Sequence, residues 1–484
     1  MRCALVIPPW QPKDIFPEKT ASSQINYWQP LGTLYVGAVL KNEGHVVTFL
    51  NGAFLSNEEI LDELKVFKPD FVGIYSTAFG WPEALRISSA IKKRIGPVFI
   101  AAGGPYPSAV KEKCLDNAND IDAVVIGEGE LTLPQLVARV EKGESLPGLE
   151  GIAFREGEEI VVNAERPLVA DLDSLPFPAR ELLGDFERYI PAPATYRRKP
   201  VAVMMTSRGC DRKCIFCFQF DKERKSGIRY RSVDNVLDEI ELCLKAGYRE
   251  IKFLDDTFTA DYDRAMRIAT EIKRRKLDFT WFVSAIVSQV DRPLLEAFRE
   301  AGCWAILFGA ESGVQANLNM VRKGTTVDQV RKGVRDAKEA GLKVFTPFLI
   351  GIPGETAENL QKTIDFAIEI DPDVVNFHYL TPFPGTELHD NIGKYGSMSE
   401  NLTEYTYQGA AFVPFTMTRD ELAEMRSLAF RKFYSRPRFL LKRILGLRTA
   451  DDLKAAISGI RSLYGILKDR NIFSRKKKNL SSSW

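Results

Sequence analysis

Short apolar runs alternate with amphipathic stretches along the first 142 residues. The apolar runs have the length of buried strands. They are Cys3–Ile7, Val46–Leu50, Phe71–Tyr75, Val98–Ala102 and Ala123–Ile126. The stretches between them show helical periodicity and predict helices over Leu31–Glu43, Glu58–Phe67, Trp81–Arg94 and Leu131–Lys142. This alternation predicts a doubly wound, Rossmann-like α/β domain, which binds ligands at the carboxyl ends of its parallel strands.

A second alternating run begins near residue 200. Its predicted strands are Val201–Thr206, Glu250–Leu254, Phe279–Ser284, Trp304–Phe308, Lys343–Ile350 and Val374–Tyr379. Helical patterns over Val233–Ala246, Thr326–Ala340 and Thr356–Ile370 fill the gaps. The pattern predicts a partial (β/α)6 barrel with its active site at the carboxyl ends of the strands.

Four regions follow from these patterns: an α/β domain over 1–142, a linker over 143–199, a barrel over 200–400 and a helical region over 401–484. Proline-rich sequence such as Leu175-Pro176-Phe177-Pro178 predicts that the linker is irregular.

Composition narrows the class of protein. The chain has 484 residues, of which 45% are hydrophobic and 27% charged, so it is neither disordered nor collagen-like. Its seven cysteines are odd in number and partly clustered, which favours a metal site in a reducing compartment over disulfides. The amino-terminal apolar run is too short for a signal peptide, and we find no membrane-spanning stretch. A cytoplasmic location is therefore expected.

Three cysteines follow the first predicted barrel strand with CxxxCxxC spacing: Cys210, Cys214 and Cys217. Thiolates this close can hold three irons of a 4Fe–4S cluster and leave the fourth iron open. Neighbouring Arg208, Arg212 and Lys213 are expected to offset the negative charge and lower the thiol pKa values. The alternatives are a structural zinc site, which needs a fourth ligand that is absent nearby, and unligated cysteines.

This motif resembles that of the radical S-adenosylmethionine (SAM) superfamily, and the resemblance covers about residues 200–384. It implies that the open iron binds SAM and that electron transfer yields a 5′-deoxyadenosyl radical. The residues that it places around SAM are Phe216, Asp255, Asp256, Glu311, Gly351, Ile352, Pro353 and Gly354. Solvated helix caps for the carboxylates and ordinary turns for the glycines are the structural alternatives.

Small and polar residues follow three strands of the amino-terminal domain. They are Ser76, Thr77, Gly103, Gly104, Gly127, Glu128, Gly129 and Glu130. Together with the barrel, this domain resembles that of the cobalamin-binding radical SAM family, which implies that these loops contact cobalamin. The chain lacks the DxHxxG motif of many cobalamin domains, and His45, His378 and His389 all lie elsewhere, so a His-off cobalt is expected. A Rossmann-like domain without cobalamin is the alternative.

The carboxyl-terminal end is basic. From Arg426 to Trp484 there are 16 Lys or Arg and 3 Asp or Glu residues, although the whole chain carries only +2. Aromatic residues interleave with these charges, which is typical of segments that lie on anionic membranes. A solvated basic cap on the barrel is the alternative, and nucleic acid is a weaker one. The segment suggests peripheral association with the inner face of the membrane and an apolar substrate.

The resemblance implies a cobalamin-dependent radical SAM enzyme that methylates an unactivated carbon of a lipid, tetrapyrrole or natural product. SAM would methylate cobalamin, and a second SAM would supply the radical. An external electron donor such as flavodoxin or ferredoxin is implied. An oxidative cyclase or ring-rearranging enzyme is the main alternative. A tRNA methylthiotransferase is remote because only Cys3 and Cys114 precede the barrel, and a cobalamin sensor would leave the cysteine triad idle.

Overall fold

A computed structural model describes residues 1–11, 14, 27–221 and 226–445 of the chain. Its first sheet contains seven strands in the order β2-β1-β3-β4-β5-β6-β7. They are β1 (Arg2–Ile7), β2 (Val46–Asn51), β3 (Phe71–Tyr75), β4 (Phe99–Gly103), β5 (Ala123–Val125), β6 (Ile152–Glu156) and β7 (Glu159–Val162). Strands β1 to β5 are parallel, which confirms the doubly wound domain.

Helices cover both faces of this sheet. They are α1 (Leu31–Asn42), α2 (Asn57–Phe67), α3 (Trp81–Ile95), α4 (Pro105–Val110) and α5 (Gly129–Lys142). Helix α2 begins with a capping box, in which Ser56 and Glu59 exchange hydrogen bonds. Two separate apolar cores lie on the two faces, one including Ile60 and Ile87 and the other Leu40 and Leu136.

The predicted linker is more regular than expected. Strands β6 and β7 lie within residues 143–199 and extend the first sheet through antiparallel pairing. The prediction of an irregular segment was wrong here, because the apolar residues Ile152 and Phe154 pack into the core under the sheet. After β7 the chain forms only short 3-10 turns, at Leu172–Ser174, Arg180–Leu183, Phe186–Arg188 and Pro193–Thr195.

The second sheet is the predicted partial barrel. Its chain segment contains β8 (Val201–Met204), β9 (Ser207–Arg208), β10 (Arg229–Tyr230), β11 (Glu250–Phe253), β12 (Thr280–Ala285), β13 (Cys303–Phe308), β14 (Lys343–Ile350) and β15 (Val374–Tyr379). Six of these strands are parallel, in the order β15-β14-β13-β12-β11-β8. Strands β9 and β10 form a small antiparallel pair beside the cysteine motif.

The barrel helices pack on the outer face of the sheet. They are α6 (Val233–Lys245), α7 (Tyr262–Arg274), α8 (Arg292–Glu300), α9 (Gln315–Met320), α10 (Val327–Glu339), α11 (Ala357–Ile370) and α12 (Glu387–Asp390). One large core joins α6, α7, α8, α10 and α11 to the strands and is rich in aromatic residues such as Phe253, Trp281 and Phe298. The short helices α9 and α12 instead contribute Met320 and Leu388 to a smaller apolar cluster. Serine, threonine or aspartate side chains cap α6, α7, α8, α10 and α11 at their amino ends.

The chain then adds a hairpin of β16 (Gly396–Met398) and β17 (Phe412–Pro414), followed by α13 (Arg419–Tyr434) and α14 (Pro437–Leu445). Helix α13 covers β15, and its Phe430 and Phe433 are buried in the barrel core. These aromatic residues therefore belong to the protein interior, which corrects their interpretation as part of a membrane-facing segment. The rest of the basic end, residues 446–484, lies outside the described residues. No helix among the described residues is long and apolar enough to span a bilayer.

Candidate cofactor site

The three motif cysteines occupy a loop that leaves the carboxyl end of β8 through β9. Backbone hydrogen bonds anchor this loop: Ile215 donates to Val321 at 3.2 Å and accepts from Leu388 at 2.9 Å. Cys214 and Cys217 lie within hydrogen-bonding reach of each other. Among the described residues, no three His, Cys, Asp or Glu side chains are placed to hold a single metal ion. The donor set itself, three thiols on one loop, fits an iron–sulfur cluster.

Cys210 and Cys217 do not have the lowered pKa values expected from the sequence. Burial raises the pKa of Cys210. The contact with Cys214 and burial raise the pKa of Cys217 well above its ordinary value. Arg208 is already neutralised by ion pairs, and the Arg212 guanidinium donates to Ser288 and to the Gly324 carbonyl. The expectation that these cations lower the thiol pKa values is therefore wrong for Cys210 and Cys217.

Asp255 and Asp256 end β11 with different environments. The Asp255 carboxylate is buried and accepts hydrogen bonds from the Thr206 amide at 3.1 Å, the Thr206 hydroxyl at 2.6 Å and the Ser207 hydroxyl at 2.5 Å. It therefore ties β11 to the start of the cysteine loop. Asp256 is exposed, receives a hydrogen bond from Gln219 at 3.3 Å, and lies near enough to Cys210 to raise its pKa.

Glu311 lies at the end of β13 in a left-handed conformation, with φ of 59°. Such a backbone is uncommon for a residue other than glycine and is held here by hydrogen bonds to Pro347 and Leu349. Its carboxylate forms an ion pair with Lys323 at 2.7 Å. Burial alone would lower the pKa of Lys323, but Glu311 and the two neighbouring thiols, Cys214 and Cys217, raise it.

The loop after β14 carries Gly351, Ile352, Pro353 and Gly354. Gly351 has φ of 87° and Gly354 has φ of 77°, so both occupy the region that favours glycine. The buried Glu355 carboxylate closes the loop, accepting from the amides of Gly351 at 2.8 Å and Ile352 at 3.3 Å. Ile352 belongs to a small apolar cluster that also contacts Phe216, so the structure brings these predicted SAM residues together.

The predicted cobalamin residues lie at one edge of the first sheet. The Ser76 amide donates to Gly103 at 2.8 Å, and the Gly127 amide donates to Ser108 at 3.0 Å. A Cβ on Gly104 would stand 2.7 Å from the Ser76 carbonyl, so only glycine fits there. Thr77 is exposed beside this turn. The three turns follow the carboxyl ends of the neighbouring parallel strands β3, β4 and β5.

Glu128 and Glu130 have a role that the sequence did not reveal. Arg208 contacts Glu128 at 2.9 Å and Glu130 at 2.6 Å, and Arg229 contacts Glu128 at 2.9 Å through both guanidinium nitrogens. Burial alone would raise the pKa of Glu128, but Arg229 and Arg208 hold it below its ordinary value. We call these four residues the interdomain latch, because they join the carboxyl edges of the two sheets.

The histidines lie away from the predicted cobalamin edge. His45 precedes β2 at the opposite edge of the first sheet, and its Nδ1 lies 3.1 Å from the amino terminus. His378 is on β15 and His389 on α12. None of them follows a strand of the first sheet, and the His-off arrangement stays a prediction.

Comparison with known proteins identifies both halves of the chain. Residues 22–137 match the B12 binding domain, and residues 204–367 match the Radical SAM superfamily. An uncharacterized methyltransferase of Pyrococcus horikoshii is 34% identical over 441 residues, covering 90% of this chain and 94% of the relative. The chain belongs to the cobalamin-binding radical SAM family. The cofactors of the matched families are a 4Fe–4S cluster, SAM and cobalamin, as the resemblance implied.

This radical SAM protein is also similar to a further curated relative and to a solved structure. The anaerobic magnesium-protoporphyrin IX monomethyl ester cyclase of Rubrivivax gelatinosus is 29% identical and covers 85% of this chain and 75% of the relative. The solved structure of TsrM, a radical SAM methyltransferase of Kitasatospora setae, has a TM-score of 0.69 at 18% identity and covers 100% of both chains. The latter similarity supports the same two-domain fold.

Proposed function

We propose that this radical SAM protein is a cobalamin-dependent C-methyltransferase that acts on an unactivated carbon of a largely apolar small molecule. The observation that carries the proposal is the position of the cysteine loop. It lies at the carboxyl edge of the barrel sheet, and the interdomain latch joins that edge to the loops of the first sheet. A methyl donor on one domain and a radical source on the other would thus share one cavity.

In this proposal Cys210, Cys214 and Cys217 hold the cluster, and Glu311 and Asp256 offer carboxylates to the polar part of SAM. Bound together, the cofactors supply a 5′-deoxyadenosyl radical for hydrogen abstraction and a methyl group for transfer. Lys323 holds the Glu311 carboxylate in place through their ion pair at 2.7 Å. Asp255 acts as a positioning residue, because its carboxylate is already engaged by Thr206 and Ser207.

The remaining predicted SAM residues form the wall for the adenine. Gly351, Ile352, Pro353 and Gly354 present backbone and an apolar side chain, and Glu355 holds their amides in place. Phe216 contacts the same apolar cluster from the cysteine loop. This arrangement excludes water from the face of the ring.

Cobalamin would lie against the turns at Ser76-Thr77, Gly103-Gly104 and Gly127–Glu130 in this proposal. The glycine at 104 lets its turn pack closely against the Ser76 carbonyl and the Tyr75 ring, which keeps the neighbouring turns together. Glu128 and Glu130 would contribute to cobalamin binding indirectly, because their ion pairs with Arg208 and Arg229 hold this loop in place. Peripheral membrane association and a flavodoxin-like or ferredoxin-like donor stay predictions.

The second candidate function is oxidative cyclisation, favoured by the similarity to the cyclase of Rubrivivax gelatinosus. The two functions share the cluster and SAM but differ in whether a methyl group moves to the substrate.

The experiment that tests the shared chemistry is anaerobic reconstitution with iron, sulfide, hydroxocobalamin, SAM and a strong reductant. We expect the wild-type chain to bind a cluster and produce 5′-deoxyadenosine, and Cys214→Ala to do neither. Cys243→Ala is the matched control, because Cys243 is a buried cysteine on α6 outside the motif. Equal cluster content and equal 5′-deoxyadenosine in the Cys214→Ala variant would overturn the proposal.

A further inference from the structure

Lys252 lies inside the barrel sheet. Its neighbours on β11, Ile251 and Phe253, are fully buried in the core beneath the outer helices. Side chains alternate along a strand, so Lys252 points to the inner face. Its amine lies 4.3 Å from the centre of the Trp28 ring and 4.4 Å from that of Phe282. Part of its surface stays open, unlike that of its two neighbours.

Among the described residues, this ammonium forms no direct ion pair or hydrogen bond, and the charge of Glu250 acts on it only from a distance. The acid on the same face of β11, Glu250, is fully engaged elsewhere. Its carboxylate accepts from the backbone amides of Arg197 and Arg198 and from the side chains of Thr280 and Trp304. Burial lowers the pKa of Lys252 to about 8. A largely buried cation whose direct contacts are aromatic rings, with one carboxylate acting only at a distance, is incompletely stabilised.

Lys252 lies on a strand of the barrel sheet and contacts a residue that belongs to the first domain. Trp28 directly precedes α1, which begins at the carboxyl edge of the first sheet. Trp28 also packs against an apolar cluster formed by residues of α1, including Leu31 and Tyr35, and by Val203 of β8. The amine therefore lies where the inner face of the barrel meets the domain that matches B12-binding proteins.

We propose that Lys252 is the subsite for a carboxylate on the substrate. A single ammonium between two aromatic rings complements one negative charge attached to an apolar, preferably aromatic, body. A phosphoryl group would call for more donors than this one amine supplies. The inference rests on the proposed function, and it adds that the largely apolar substrate carries an acidic group directed into the barrel.

Equilibrium dialysis with radiolabelled benzoate tests this subsite on the full chain, with benzamide as the neutral probe of the same shape. We expect saturable benzoate binding, at least about tenfold weaker benzamide binding, and at least about tenfold weaker benzoate binding in Lys252→Met. Lys245→Met is the matched control, because Lys245 is exposed at the end of α6. It should bind benzoate as the wild type does.

A second measurement uses only the wild-type chain, so it does not depend on whether a variant folds. Trace labelling with acetic anhydride followed by mass spectrometry should show that benzoate protects Lys252, but not Lys245, and that benzamide protects neither. Equal binding of the two probes, absent benzoate binding, or unaltered labelling of Lys252 would overturn the proposal. Neither assay needs cluster, SAM or reductant, so failure here leaves the proposed function standing and is distinguishable from its failure.

Discussion

Individual carboxylates around the proposed SAM site have separate tasks that their sequence positions do not distinguish. Asp255 and Asp256 are adjacent in the chain, yet the first is buried under three donor groups and the second is exposed beside Gln219. Successive side chains beyond the end of β11 point in different directions, which places the two carboxylates in different environments. Glu311 is singled out by its left-handed backbone and its ion pair with Lys323. A left-handed backbone at a residue other than glycine is energetically unfavourable and persists only where the surrounding structure stabilises it. Such residues often occur at functional sites, so Glu311 is a candidate for function.

Glu355 gives a prediction at this scale. Burial raises its pKa to about 8, from 4.5 in an exposed chain. A raised carboxyl pKa adds stability that is fully present below the unfolded pKa and is lost as the pH rises through the folded pKa. Glu355→Gln should therefore lose less thermal stability than the wild type as the pH increases from about 5 to about 9.

Thermal unfolding at several pH values measures this difference. The unfolding temperature of Glu355→Gln, relative to that of the wild type, should rise with pH. Glu369→Gln is the control, because Glu369 is exposed on α11 and should follow the wild type. If the unfolding temperatures of the wild type and Glu355→Gln depend on pH in the same way, the protonation of Glu355 does not contribute to the pH dependence of stability.

At the scale of elements, local pattern predicted the parallel strands of both sheets, because each is a short apolar run between helical stretches. The local pattern missed β6 and β7, because charged residues occupy their adjoining ends and connecting turn and because their pairing depends on β5. The sequence pattern also assigned the aromatic residues of α13 to a membrane-facing surface, although Phe433 packs in the barrel core. Whether an amphipathic helix faces lipid or a sheet depends on tertiary contacts that periodicity does not contain.

Helix α13 closes the exposed edge of β15 and gives a prediction for that element. The Tyr434 hydroxyl accepts from the Val375 amide at 3.0 Å and donates to the Val375 carbonyl at 2.6 Å. Tyr434→Phe should speed hydrogen exchange of the Val375 amide by about tenfold, the effect of ~1.4 kcal/mol in local opening. Tyr262→Phe, which removes a hydroxyl bonded to exposed Asp291, should leave β15 unchanged. Unaltered exchange in Tyr434→Phe would refute this role.

At the scale of the whole molecule, the interdomain latch determines how the two predicted cofactor domains meet. The sequence predicted each domain and the loops at its carboxyl edge. It did not predict that Glu128 pairs with Arg208 and Arg229, because these partners lie 80 and 101 residues away. Such a contact exists only once both sheets are formed, and no local pattern encodes it.

Glu128→Gln tests the latch. The change leaves two guanidinium groups beside a neutral amide, and breaking a buried ion pair in this way costs about 3–5 kcal/mol. Calorimetry should show unfolding at a lower temperature, with the domains separating into two transitions. Glu165→Gln is the control, since Glu165 pairs with Lys111 at the exposed surface. If Glu128→Gln unfolds at the same temperature as Glu165→Gln, the stabilising role of the latch is contradicted.

The difference in stability between Glu128→Gln and the wild type should shrink as the pH falls. The depressed pKa of Glu128 stabilises the fold only while its carboxyl group is ionised.

Isotopic labelling of the SAM methyl group distinguishes methyl transfer from cyclisation. The holoenzyme, reconstituted anaerobically with hydroxocobalamin, receives SAM labelled in its methyl carbon together with a strong reductant, and the small molecules are separated. We expect label on cobalamin together with S-adenosylhomocysteine, as well as 5′-deoxyadenosine that is lost in Cys214→Ala. 5′-Deoxyadenosine without label on cobalamin would contradict methyl transfer and favour the cyclase.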